Sequence, residues 1–213
     1  MTLATPRWKR RKTARPQEIL DSALACFAER GFAATRMDDI AARAGVTKGT
    51  IYLYFENKEA VFKTLARESI VLRLSEVRES VLRFEGATAD LLRFVITTMN
   101  DFITTSDRVV LPKVLLAEVG NFPELAKFWR EEIIDRGLGL FASVIERGIA
   151  RGEFRKLDPQ HVARLCIAPM LVSIFWRTTF AQFDKTPFDY RKFIDTHLDV
   201  LLRGLSAAES ARP

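Results

Sequence analysis

Within TRMDDIAARAGVTKGTIYLYFENKEAVF, from Thr35 to Phe62, one short stretch gathers groups suited to a polyanion. Lys48 brings an ammonium, Thr47, Thr50, Tyr52 and Tyr54 bring hydroxyls, and Gly49 lets a backbone approach a surface closely. Such groups at helical spacing suit phosphate oxygens or base edges. Acid–base or nucleophilic chemistry has no comparable cluster. His161 and His197 stand apart from each other and from any Cys or paired-carboxylate spacing. Asp38-Asp39 and Glu131-Glu132 diverge on helices as solvated faces. No Gly-rich phosphate loop, HExxH or nucleophile elbow occurs, so catalytic residues, a metal site and a cofactor are not expected. Cys26 and Cys166 fall among apolar residues in helical patterns, and each reads as a buried, reduced thiol.

The elements that must position this cluster are two short helices and a tight turn. Thr35 reads as the N-cap of the first, with Asp38 as its capping-box acid and Met37, Ile40, Ala41 and Ala44 as its apolar stripe. Gly45 stops that helix, Val46 fills the corner and Thr47 caps the second helix through its hydroxyl. Ile51 and Phe55, four apart, point back at the first helix. At about 100° per residue, the side opposite Ile51 carries Gly49 and Leu53, flanked by Thr50 and Tyr52. That is a helix-turn-helix pattern. Taken by itself, it also fits a short surface helix of any all-α protein.

The wording is more particular than the pattern. Gly31-Phe32, Ile40-Ala41, Ala44-Gly45-Val46, Lys48-Gly49-Thr50-Ile51-Tyr52, Tyr54-Phe55 and Asn57-Lys58-Glu59 fall at several fixed spacings at once. Over roughly residues 16 to 62 the chain resembles the DNA-binding segment of the tetracycline-repressor (TetR/AcrR) family of bacterial transcription regulators. By position in that motif, the resemblance implies that Thr35, Thr47, Tyr54 and Lys58 hold phosphates, with Arg36 beside them. It implies that Lys48, Gly49, Thr50 and Tyr52 face bases or the sugar-phosphate edge. Leu53 departs from the family, which often has a polar or aromatic residue there; it either meets a thymine methyl or contributes nothing.

A chain of 213 residues accommodates one small module and one larger domain with its own core. No apolar run reaches the roughly 18 residues needed to span a bilayer, and no signal-peptide pattern precedes the first helix, so a cytoplasmic location without a membrane partner is expected. The net charge of +6 resides in Arg7, Lys9, Arg10, Arg11, Lys12 and Arg15, since residues 1–16 contain no acid and the rest is formally neutral. This basic arm either follows phosphates or a minor groove, or is a solvated tail. Trp8 within it has no assigned role.

Helical periodicity, with polar residues or Pro opening segments and Gly or Asn closing them, predicts an all-α fold of about nine helices. Helix one spans about 16/17–30, and helix four starts near Asn57 and runs to Gly86. Helix five covers about 88–105 and helix six 112–120. Helix seven follows Pro123, Asp158-Pro159 opens helix eight, and helix nine runs from Thr186-Pro187 to Gly204. The expected domains are the arm 1–16, the helix-turn-helix module 17–62 and a helical ligand-binding and dimerisation domain 63–213.

Helix eight is apolar on nearly all sides from Val162 to Trp176 and must be buried all round. Pairing helices eight and nine with their two-fold copies would bury it, through Leu165, Pro169, Val172, Phe193 and Leu201. The resemblance implies the same dimer surface. Residues 63–213 hold 12 of the 16 phenylalanines with Trp129 and Trp176, which either fill a core or line a pocket. The resemblance implies a pocket, with Phe94, Phe102, Trp129, Phe141 and Trp176 as candidates and an apolar or aromatic effector. The expected function is a homodimeric, ligand-responsive regulator that represses from a palindromic double-stranded DNA operator. A non-specific nucleoid-type DNA binder and a helical small-molecule-binding protein without operator specificity are the alternatives.

Overall fold

The computed structural model describes residues 15–118 and 120–207. The basic run from Arg7 to Lys12, Trp8 and the end of the tail lie outside them. Counting a helix that passes through a π or 3-10 turn as one, the described residues form nine helices, with one isolated β-bridge between Phe154 and Ser206. The chain divides into two compact units at Leu65 and Ala66.

The first unit contains α1 (Arg15–Ala34), α2 (Met37–Arg43), α3 (Lys48–Tyr52) and the start of α4. In α1, Gly31 adopts φ 78 and interrupts the helix one residue beyond the expected end, after which a last helical stretch reaches Ala34. The core is aromatic. Phe27, Phe32 and Phe62 are fully buried, with ring centroids 5.3, 6.0 and 5.6 Å apart. Ile40 of α2 and Ile51 of α3 join them without any exposure, as their spacing requires.

α4 passes through Lys58–Ala66, a π-helical segment Arg67–Val71 and Leu72–Arg83. The rest of the second unit is α5 (Thr88–Thr105), α6 (Val110–Glu118), α7, α8 and α9. α7 comprises Pro123–Trp129, a π segment Arg130–Ile134 and Asp135–Ala150. α8 is Pro159–Phe175, continued by a π segment Trp176–Phe180 and a 3-10 turn Ala181–Phe183, and α9 is Tyr190–Leu205. α8 packs on α7 and α5, and α9 on α5. Leu91, Leu92, Phe141, Val144, Cys166 and Leu198 are buried between them. Helix ends differ from expectation in two places. A 3-10 turn, Asp107–Val109, capped by Ser106, leads directly into α6 at Val110, so the helix begins before Pro112. α9 is capped by Asp189, which accepts from the Lys192 N–H at 2.9 Å, and it runs through Gly204 to Leu205. Asp158 caps α8 as expected, accepting from Gln160 and His161 at 2.8 and 3.3 Å.

α8 corrects two further expectations. Pro159–Phe183 is, by length and composition, apolar enough to cross a membrane. Within one chain it is not buried all round either. Val162, Ala163, Cys166, Met170 and Ile174 face the bundle, while Leu165, Leu171, Val172 and Phe175 are exposed. One apolar side is therefore covered by α5 and α7, and the other has no cover among the described residues.

Candidate nucleic-acid interface

The turn between α2 and α3 is built by backbone hydrogen bonds that the sequence Ala44-Gly45-Val46 makes available. The Val46 N–H donates to Ala41 O at 3.0 Å and the Gly45 N–H to Ala42 O at 3.2 Å, the paired bonds of a Schellman ending. Gly45 takes φ 64 in this ending, where a β-carbon would clash with its own backbone. α3 starts at once. Thr47 Oγ1 accepts from the Thr50 N–H at 3.2 Å and lies 2.8 Å from Thr50 Oγ1. Ile51 and Phe55 are buried, so α3 is locked against the module by its apolar side.

Its other side faces outward. Thr47, Lys48, Gly49, Tyr52, Leu53 and Tyr54 are exposed and Thr50 is partly so. Tyr52 keeps 47% of its surface and Leu53 82%. A β-carbon at Gly49 would meet only Thr47 Oγ1, at 4.0 Å, so nothing inside the module requires a glycine there. The Lys48 ammonium lies 3.0 Å from an Asp38 carboxylate oxygen. That hydrogen bond and the charge of the same carboxylate raise the lysine above its usual value. Asp38, expected as the capping acid, is released for this pairing because Asp39 takes the cap. Its partner lies ten residues on, across a turn, and spacing alone does not connect them.

Two expected phosphate ligands face inward instead. Thr35 is 1% exposed, and its hydroxyl donates to Gly31 O at 2.7 Å and Cys26 O at 3.2 Å. It is not the N-cap. Arg36 holds that position, exposed, and its N–H donates to Asp39 Oδ2 at 3.0 Å, so the capping acid is Asp39 rather than Asp38. The shift follows from Thr35's burial, which consumes its hydroxyl on the end of α1. Lys58 is half-buried, and its ammonium donates to the carbonyls of Phe32, Ala33 and Thr35 at 2.9, 2.9 and 3.2 Å. It braces the module's own backbone. Arg43 adds a second brace, with Nη1 2.7 Å from both Glu29 oxygens.

In the second unit, Trp129 and Phe141 are buried, Phe102 and Trp176 are half-buried and Phe94 is 40% exposed. Phe94 points away from the bundle, because Leu91, Leu92, Val95 and Ile96 of α5 take the inward side. Trp176 donates to Asp184 Oδ2 at 2.7 Å and stacks near Phe180 and Phe188. A cleft of about 400 Å³ between α4 and α7 is lined by Leu74, Arg78, Asp135, Arg136 and Leu140. Another of about 430 Å³ is lined by Arg155, His161, Leu165, Val200 and Leu201. Neither includes the five aromatic candidates. Of the expected dimer residues, Leu165 is 58% and Val172 45% exposed, Pro169 and Phe193 are half-buried and Leu201 is buried. Both cysteines are buried thiols, and burial pushes Cys166 up to about 12.

Comparison with known proteins places this geometry. The "Fatty acid metabolism regulator protein" of Bacillus subtilis (strain 168) is 27% identical over 197 residues, covering 91% of this chain and 98% of its own. The "HTH-type transcriptional repressor KstR2" of Rhodococcus jostii (strain RHA1) is 29% identical over 167 residues, 78% of this chain and 80% of its own. The crystal structure of the regulator FadR from Bacillus subtilis, in complex with stearoyl-CoA, superimposes with a TM-score of 0.70 at 24% identity, over 89% of this chain and 98% of that one. Residues 19–65 match the bacterial regulatory proteins of the tetR family, and residues 85–185 match the tetracyclin repressor-like C-terminal domain. With the DNA-binding module and its companion domain matched in order along one chain, this protein belongs to the TetR family of bacterial transcription regulators.

Proposed function

We propose that this chain is a homodimeric repressor that reads a palindromic operator through α3 and is released from it by a lipophilic small molecule. The observation that carries the reading is α3 itself: its apolar side is locked into the module, while Lys48, Gly49, Thr50, Tyr52 and Tyr54 present an ammonium, hydroxyls and a side-chain-free backbone outward. On this reading those residues face bases or the sugar-phosphate edge, with Thr47 and Arg36 beside them. Thr35 and Lys58 support the surface from behind. One short helix reads few base pairs, so a two-fold pair on two half-sites supplies the specificity.

The exposed apolar side of α8, with Leu165, Leu171, Val172 and Phe175, supports pairing of α8 and α9 between two copies. The second unit holds most of the aromatic residues, and a relative covering nearly the whole chain is named a fatty acid metabolism regulator. Both support a lipophilic effector lodged among α5 to α8 near Phe102, Trp129, Phe141 and Trp176. Such an effector releases DNA only by binding better to the form that cannot span both half-sites, and DNA then weakens effector binding by the same factor. The regulator acts in the cytoplasm.

Selection of tight-binding duplexes from a random pool near physiological salt tests the reading. One palindrome is the expected product. Recovery of no motif, with binding that collapses as salt rises, would replace it with a non-specific electrostatic binder.

A further inference from the structure

Asp38 is the acid of α2 that the helix does not use. Its neighbour Asp39 completes the cap on the Arg36 N–H and pairs with Arg30 at 3.3 Å. Asp38 instead reaches across to α3 and sits 3.0 Å from the ammonium of Lys48, the one lysine in that helix. Both side chains stay mostly in solvent, at 59% and 67% exposure, on the surface read above as DNA-facing. An ammonium has three donors. One is spent on Asp38, and two remain.

We propose that Asp38 is a specificity-determining residue: it makes Lys48 a reader of base edges rather than an anchor for phosphates. An ammonium with a carboxylate at hydrogen-bond distance is a neutral unit at longer range. A phosphate approaching Lys48 also meets the Asp38 charge, and the repulsion offsets the attraction. A guanine O6 or N7 is a neutral acceptor, so it takes the free donors without that penalty. Asp38 also holds a long, flexible side chain in one place, which lowers the ordering cost of a base contact. Non-cognate DNA, bound chiefly through its backbone, meets Lys48 mainly with phosphates and gains little from it.

The proposal rests on α3 facing DNA, so the test starts from the duplex selected by the wild-type protein and a scrambled copy of it. Affinities for both are measured across a salt series for wild type, Asp38→Asn, Lys48→Ala and the double variant. Asp38→Asn is expected to tighten scrambled DNA by about two- to five-fold, the span of an exposed ion pair. Its salt dependence on scrambled DNA steepens by about one unit of slope. The cognate duplex gains less, so discrimination falls, and in the Lys48→Ala background the change in discrimination disappears. An equal gain on both duplexes, no gain on either, or a loss of discrimination that persists without Lys48 would overturn the role of Asp38. Asp38→Ser, which keeps a good residue for a first helical turn, repeats the measurement if the asparagine variant folds poorly. A wild type that does not discriminate at all would overturn the DNA-reading assignment of α3 together with it.

Discussion

The Lys58 ammonium stands 2.9 Å from the Phe32 carbonyl oxygen and 4.7 Å from the centre of the Phe32 ring. With the Ala33 and Thr35 carbonyls also accepting from it, this cation closes the end of α1. Lys58→Met keeps the aliphatic stem and removes the donors. Urea unfolding followed by circular dichroism is expected to show a loss of about 1.5–3 kcal/mol, the range for hydrogen bonds to a charged group. A lysine that only held phosphates would leave the unfolding free energy where it was.

Gly49→Ala separates folding from DNA approach. Its β-carbon meets nothing closer than 4.0 Å, and alanine favours a helix over glycine by about 0.8–1.0 kcal/mol. The variant is expected to melt at the wild-type temperature or above it. Operator affinity should fall by about tenfold, or 1.4 kcal/mol, because the new methyl group stands between α3 and the groove. Unchanged affinity in a mobility-shift titration would remove Gly49 from the contact surface.

His197 gives the second unit a pH dependence of defined sign. Burial lowers it from the ordinary histidine value of 6.5, and Nε2 is buried without a hydrogen-bond partner. The fold therefore favours the neutral ring, and the unfolded chain binds the proton more readily. The contribution is complete above about pH 6.5 and is lost as pH falls through the folded value. Melting temperatures measured downward from pH 8 should decline in that window for wild type and decline less for His197→Gln.

Val172→Lys and Leu165→Asp place charges on the exposed side of α8, where each wild-type side chain touches solvent. Sedimentation is expected to show monomers in place of dimers, with helical content unchanged. Binding to a single half-site should survive while tight binding to the full palindrome is lost. Dimers that persist in both variants would move the interface off this face.

Much of the fold was legible because helix signals are local. Thr88–Thr105 was marked by its own apolar periodicity, Asp158-Pro159 opened α8, and Gly45 ended α2, since each depends on neighbours within a few residues. Phe94 shows where that reading stops. Four apolar residues of α5 compete for one inward side, and the packing of α7, α8 and α9 against that helix leaves Phe94 outside. The start of α9 differs for a local reason. Thr186-Pro187 had the right composition for a cap, but the hydroxyl and the ring lost to an Asp189 carboxylate three residues before Lys192.

By itself, the sequence determined an all-α chain, a helix-turn-helix module at the N-terminal end and the outward residues of α3, because periodicity and turn chemistry are properties of adjacent residues. Only the tertiary structure decided which polar groups of that module remain for a partner. Thr35 turns inward because carbonyls of α1 await its hydroxyl, Lys58 because the backbone from Phe32 to Thr35 folds around its amine, and Lys48 meets Asp38 because the turn sets two helix starts side by side. Each choice is made between groups far apart in the chain, and a side chain's free energy depends on what folding brings to it.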